Sequence, residues 1–464
     1  MALFAEFAKS DKAQWKQQAI KDLKGKDFDQ TLTWHTQQGF NIAPFYNDED
    51  LESLTVTTLF QGVKQNFWPT VADWQNREAI TVSDEKTANQ QAVHALKAGA
   101  DAICFDLSHQ VVANFNMAKL LDKIKLSENA IFFKINHQSV ALIGDIKKVV
   151  GYYPKGGLVD DCLAEWVSTG AWHEDCWTQK ALAIRQTSDW QQFKALTISS
   201  HVFHNAGANA AQELAFLLAS AITYLDKLTD EGLSVDEIVN NIEFSVSVGT
   251  DYFIEIAKLR ALRYLFRRVV ESFSPMETAH TYFIHATTST FYDAAITPYT
   301  NLLRATTEAM SAVLGGCNAL SIHAYDHVYH PETEFSQRIA RNISTILKEE
   351  SYLNQTVDPA AGSYYLETLT VQLAEQAWHL LQEVEAQGGF VEAIKNNWIQ
   401  NQIKVVWENQ SAALQANKAV MVGVNKFRFD EEPFEKLRVS EPISFEIPSF
   451  ILLENRRLSS TFEA

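Results

Sequence analysis

The chain has 464 residues, 46% hydrophobic and 11% aromatic, enough to bury one large core with appendages or two ordinary ones. Its 39 Lys and Arg against 57 Asp and Glu give a formal charge of −18, and no basic run breaks the acidity, so nucleic acid and anionic membrane are poor partners. The longest strongly apolar stretch, 215–225, is too short to span a bilayer. Glu6 and Asp11 stand where a signal peptide would be basic and then apolar, so the expected compartment is the cytoplasm.

In chain order, residues 1–60 read as an amphipathic helical start and a loop at "FNIAPFYNDED", an arm with little core-forming periodicity. From about Asp101 the pattern changes to β-rich apolar runs separated by helical segments: "AICFDL", "AIFFKIN", "SVALIGDI", "LTISSHVF", "IEFSVSVG", "YFIHATTS" and "NALSIHA". Ala211, Leu214, Ala215, Leu218, Ile222 and Leu225 mark one helical face. The next helix opens at Asp251 and sets Glu255 one turn before Lys258; a third, from Thr300, stops at Gly315-Gly316. These βα units, repeating at intervals of about forty residues, favour a (β/α)8 TIM barrel, an α/β fold, over an open doubly wound sheet. No G-x-G-x-x-G or G-x-x-x-x-G-K-[ST] follows a strand, which weakens a nucleotide-binding reading. The boundaries are an arm at 1–60, a barrel at 61–365 and a helical, then extended, segment at 366–464. Cys104, Cys162, Cys176 and Cys317 form no C-x-x-C pair, which predicts reduced packing thiols.

One strand is unusual. Barrel strands are buried on both faces and usually read as unbroken Val, Ile and Leu, yet "IEFSVSVG" alternates Phe244, Val246 and Val248 with Glu243, Ser245 and Ser247. If the apolar set faces the helices, the axis is lined by Ser245 and Ser247, joined by Thr197, Ser199 and Ser289 from other strands. Such an interior either admits a long, thin, partly polar molecule or is filled, with serines satisfying buried groups.

Several segments resemble the adenosylcobalamin-dependent acyl-CoA mutases, above all the methylmalonyl-CoA mutase family: "HNAGANAAQELAF" (204–216), "VGTDYFIEIAKLRALR" (248–263), "PYTNLLRATTEAMSAVLGGCNAL" (298–320), "FSQRIARNIS" (335–344), "VDPAAGSYYLETLT" (357–370) and "VGVNKF" (422–427). The resemblance implies a barrel threaded by the pantetheine chain of coenzyme A, with Ser and Thr along its axis. The family's polar roles do not carry over. Anchored on Ala206 to Ala208, the resemblance puts Val202 where a thioester-binding histidine belongs and His201 at a tyrosine. On a continuing strand, adjacent residues face opposite ways, so His201 cannot replace its neighbour. Thr287 stands at an active-site glutamine and His327 at a glutamate that contacts the deoxyadenosyl group. The N-terminal substrate motif has no counterpart in "REAITVSDEKTANQQ", and no cobalt-ligating D-x-H-x-x-G is found.

What the resemblance implies is therefore the small, non-catalytic subunit of a heterodimeric methylmalonyl-CoA mutase. It would bind no cofactor itself and would pair with a homologous large chain that carries adenosylcobalamin, partly through the arm; a bound CoA ester is left open. Two other readings compete. A catalytic mutase chain borrowing a separate cobalamin-binding subunit leaves Val202, Thr287 and His327 unexplained. A metal-dependent barrel enzyme would draw on His323, Asp326, His327 and His330 of "HAYDHVYH" with His201, His204 and His285, although no spacing matches a zinc signature. Arg260, Arg263, Arg267 and Arg268 read as a solvated or subunit-facing basic patch. Asp358, Pro359 and Gly362 read as a turn-rich loop.

Overall fold

The computed structural model describes residues 11–53, 73–108, 115–274, 282–429 and 449–463. Asp11 caps the helix Lys12–Asp22 through a capping box with Gln14, and none of the helix residues is buried. A short antiparallel pair, β1 (Trp34–His35) and β2 (Asn41–Ile42), comes next. This region is tied to the main body at a few points. The Asn209 side-chain amide donates to the Gln37 carbonyl at 2.6 Å, and the Tyr46 ring packs 5.5 Å from Tyr365. Parts of the arm, 1–10 and 54–60, lie outside the described residues.

The body is a barrel of parallel strands: β3 (Gln75–Thr81), β4 (Ala102–Asp106), β5 (Ala130–Lys134), β6 (Gly156–Val159), β7 (Phe193–Lys194), β8 (Leu196–Ser199), β9 (Ile242–Val248), β10 (Phe283–Thr288) and β11 (Ala319–Ser321). Their hydrogen-bonded order is β7-β6-β5-β4-β3-β11-β10-β9-β8. Strand β7 is a two-residue rung beside β6, so the other strands make the eight of a TIM barrel. At the seam between β6 and β8, side chains substitute for a backbone ladder. The Thr197 hydroxyl donates to the Leu158 carbonyl at 2.8 Å, and the Ser199 N–H to an Asp161 carboxylate oxygen at 2.7 Å. Outside the strands, helices Ala210–Asp230, Tyr252–Phe273 and Tyr364–Ala386 bury broad apolar faces.

Several expectations need correction. "SVALIGDI" belongs to the helix Ser139–Val149, with Leu142, Ile143 and Ile146 fully buried; a short apolar run fits a strand and a buried helix equally by periodicity. Two strands were not legible, β3 because it begins Gln-Asn-Arg-Glu and β6 because it begins with two glycines. Gly156 has φ +128°, and a Cβ there would meet the Ile131 carbonyl oxygen at 1.8 Å, so only glycine fits. Strand β8 ends at Ser199, before the histidines. His201 to Ala206 form a short helix with Gly207 left-handed beyond its end, so successive side chains turn by about 100° rather than reverse.

The arginines of the helix Tyr252–Phe273 are not one surface patch. Arg260 and Arg263 are 1% exposed, Arg260 paired with Asp358 and Glu367 and Arg263 donating to the carbonyls of Tyr282 and Gly316. Glu255 and Lys258 of the same helix do pair, at 2.6 Å. Cys162 and Cys176 form a disulfide across 14 residues, because the turn after the helix Cys162–Thr169 brings the start of the helix Cys176–Gln186 back beside it. The expectation of free thiols holds for Cys104 and Cys317, both buried. Among the described residues, no helix is long and apolar enough to cross a membrane.

Candidate functional site

Every residue of β9 is buried, so the alternation in "IEFSVSV" separates a helix-facing side from an axis-facing one. The innermost axial layer contains Arg77 of β3, whose guanidinium grips Glu243 of β9 through two bonds of 2.6 and 2.9 Å. Strands β11 and β10 stand between β3 and β9 in the ring, so the pair spans a chord of the interior. Phe132, from β5 on the other side, places its ring centroid 3.4 Å from the guanidinium. The Arg77 and Glu243 side chains are 0% and 1% exposed. Charge, bidentate bonding and an aromatic face together hold this guanidinium in the barrel interior.

Above this layer lies a chain of hydrogen bonds. Ser247 Oγ is 2.6 Å from His201 Nδ1, and His201 Nε2 is 2.9 Å from Ser245 Oγ. Ser245 Oγ is 2.9 Å from His285 Nδ1, His285 Nε2 is 2.9 Å from Ser321 Oγ, and Ser321 donates to the Arg77 carbonyl at 2.9 Å. That last bond orders the rest. A carbonyl can only accept, so Ser321 takes its second bond from His285 Nε2–H, and His285 Nδ1 accepts from Ser245. Ser245 in turn accepts from His201 Nε2–H, and Ser247 donates to His201 Nδ1. Both rings are neutral in this arrangement. Burial pushes the His201 pKa down to about 4 and that of His285 well below the ordinary imidazole range.

The interior holds a cavity of about 500 Å³ that reaches from Arg77 to the C-terminal ends of the strands; its wall includes the predicted channel residues Thr197, Ser199, Ser245 and Ser247 as well as Val202, Thr287 and His323, but not Ser289. Val202 packs half-buried against the core and has no polar atom on its side chain. Thr287 Oγ1 lies 3.5 Å from His285 Nε2. His327 is outside, bonded to Glu332 at 2.8 Å. Of the other serines and threonines, Thr197 and Ser199 hold the β6–β8 seam, while Ser289 binds a different histidine. Its Oγ is 2.7 Å from His204 Nε2, and the other nitrogen of His204 is 3.2 Å from Glu213. Lys258 donates to Glu213 at 2.7 Å. Burial pushes the Glu213 carboxyl up, but Lys258 and His204 beside it outweigh that effect and hold it well below the carboxylate range. His204 thus serves a buried ion network and does not border the axial cavity.

The two histidines beside the glycine turn therefore have separate partners. Arg77 and Ser321 were not singled out in the sequence, because a charge opposite Glu243 across a barrel depends on strand order rather than spacing. The available signal was Glu243, a charge on the polar face of a buried strand that calls for a partner.

Fold and site together define a (β/α)8-barrel protein with a buried Arg77–Glu243 pair across its interior and a cavity at its mouth. A family model described as methylmalonyl-CoA mutase matches residues 109–446. The chain is 33% identical to the methylmalonyl-CoA mutase small subunit of Porphyromonas gingivalis, over 95% of this chain and 73% of that one. It is 28% identical to the small subunit of Streptomyces virginiae, over 94% and 73%. It is 32% identical to the methylmalonyl-CoA mutase of Cereibacter sphaeroides, over 92% of this chain and 65% of that longer one. The chain belongs to the methylmalonyl-CoA mutase family.

Proposed function

We propose that this chain is the small, non-catalytic subunit of a methylmalonyl-CoA mutase, pairing with a homologous large chain that carries the isomerisation of methylmalonyl-CoA to succinyl-CoA. The observation that carries this reading is the Arg77–Glu243 pair across the barrel interior. A threaded pantetheine would have to displace the bidentate Arg77–Glu243 pair, both side chains of which are almost fully buried. Displacing such a pair separates two charges out of water, which costs several kcal/mol.

The mouth supports the same reading. Acyl-thioester chemistry needs donors aimed at the thioester oxygen, and losing one commonly costs about 100- to 1,000-fold in rate. Val202 offers none, and His201 is turned inward to Ser245 and Ser247. Adenosylcobalamin, the cofactor of the family, supplies a carbon radical when bound. These residues do not fit a mutase site beneath it, because His327, at the position the resemblance assigns to a deoxyadenosyl contact, is bonded to Glu332. We therefore assign the cofactor to the partner chain.

The partner surface includes the arm. Ile20, Trp34 and Phe45 are 46%, 51% and 38% exposed, a spread of apolar side chains that a homologous chain would cover. The cytoplasm remains the proposed compartment, supported by the buried free thiols Cys104 and Cys317 and opposed by the Cys162–Cys176 disulfide. Co-expression with a homologous large mutase chain tests the proposal: a 1:1 complex by light scattering supports it, and two chains that elute separately contradict it.

A further inference from the structure

We propose that His323, His327 and Glu332 form a binding site for a divalent transition metal of the zinc class at the rim of the barrel cavity. Strand β11 ends at Ser321, and the chain then turns sharply, with the His327 N–H donating to the Ala324 carbonyl at 3.0 Å. This turn folds the H-x-x-x-H spacing back on itself and sets the two imidazole rings 4.3 Å apart, centroid to centroid, at an angle of 31°. Glu332 returns to the pair from the following loop. One of its oxygens lies 2.8 Å from His327 Nδ1, and the other accepts from the Gln337 amide at 3.3 Å.

A single donor atom from each of the three residues lies within 4.8 Å of the other two, and among the described residues no other group of His, Cys, Asp and Glu meets that condition. Donors about 2.1 Å from a tetrahedral ion stand about 3.4 Å apart, so no separation in the set has to close by more than about 1.4 Å. His327 and Glu332 have side chains 39% and 27% exposed and free to make that adjustment. Neither ring nitrogen of His323 has a hydrogen-bond partner among the described residues. Its backbone N–H is fixed to Thr288 at 2.9 Å, so the ring is anchored at its base with its nitrogens unspent.

Two imidazoles and a carboxylate suit borderline ions such as Zn²⁺ or Co²⁺ and leave a fourth position open. The Gln337 bond to Glu332 is the kind of outer contact that orients a carboxylate ligand. His323 and Glu332 also line the cavity, so a bound ion would border it. Asp326 and His330, two other polar residues of the same segment, are not part of the set: Asp326 is 4% exposed, and His330 Nδ1 bonds the Pro331 carbonyl at 2.7 Å.

The alternative is that His327 and Glu332 form an ion pair with His323 stacked beside it, and no ion binds. Titrating the chelator-stripped full chain with Co²⁺, followed by its visible absorption, and with Zn²⁺ in a calorimeter separates the two. The expected result is one ion per chain, with affinity reduced at least about tenfold in His323→Gln and in Glu332→Gln and unchanged in the exposed control His379→Gln. All three variants should keep the wild-type thermal midpoint in chelator, which separates lost binding from lost folding. Absence of stoichiometric uptake by the wild-type chain, or uptake that survives both Gln substitutions, would overturn the site.

Discussion

His201 shows how a residue that suggests chemistry in the sequence can take a structural role. Its ring is held by Ser245 and Ser247, and the Arg77 carbonyl at the far end of the chain of bonds sets its tautomer. Burial depresses its pKa from 6.5 to about 4, so the unfolded chain takes up a proton before the folded one does. The stability this group contributes is therefore complete above about pH 6.5 and is lost as the pH falls toward about 4. His285 and His323 have depressed pKa values for the same reason and add to the trend. We expect His201→Gln to lose less unfolding free energy than the wild-type chain between about pH 7 and about pH 5, by on the order of 1 kcal/mol. Urea unfolding at the two pH values measures this; parallel losses would show that the imidazole is not neutral and buried as described.

At the level of elements, the polar face of β9 was legible from its alternation, but its partners were not. Phe244, Val246 and Val248 revealed which side met the helices; what filled the other side depended on β3, which begins with four polar residues and gives no strand signal. The helices at Ala210–Asp230 and Tyr252–Phe273 were readable because their apolar faces persist over several turns. The histidine segment was misread as strand because "LTISSHVF" is β-rich up to the residue where Ser200 begins a helix. The pairing of β3 with β9 through Arg77 and Glu243 can be tested directly. Arg77→Met leaves Glu243 buried without a partner and should cost about 3–5 kcal/mol, while adding Glu243→Leu should restore most of that loss. Denaturant midpoints of both variants decide it, and a double variant no more stable than the single one would rule out an uncompensated charge as the cause.

For the whole molecule, membership in the mutase family and the proposed loss of its chemistry are compatible because fold and site are separable. The barrel, its seam and its buried ion networks specify a stable scaffold, whereas the proposed loss of turnover rests on single side chains at the mouth such as Val202. The same acidic, largely folded surface carries an N-terminal helix with no buried residue, an arrangement that makes sense if another chain covers it. The barrel was legible in the sequence, since it follows from local pattern. The Arg77–Glu243 pair could not be read there, because it joins separate strands; His323 and His327 were named as metal candidates, but Glu332 was not, because only the folding of the loop after β11 brings it to them. The most direct measurement is succinyl-CoA formation from methylmalonyl-CoA by the purified chain supplied with adenosylcobalamin, first alone and then with a homologous large chain. The account predicts no product above the protein-free background from the chain alone and turnover only when the large chain is present; turnover by the isolated chain would contradict it.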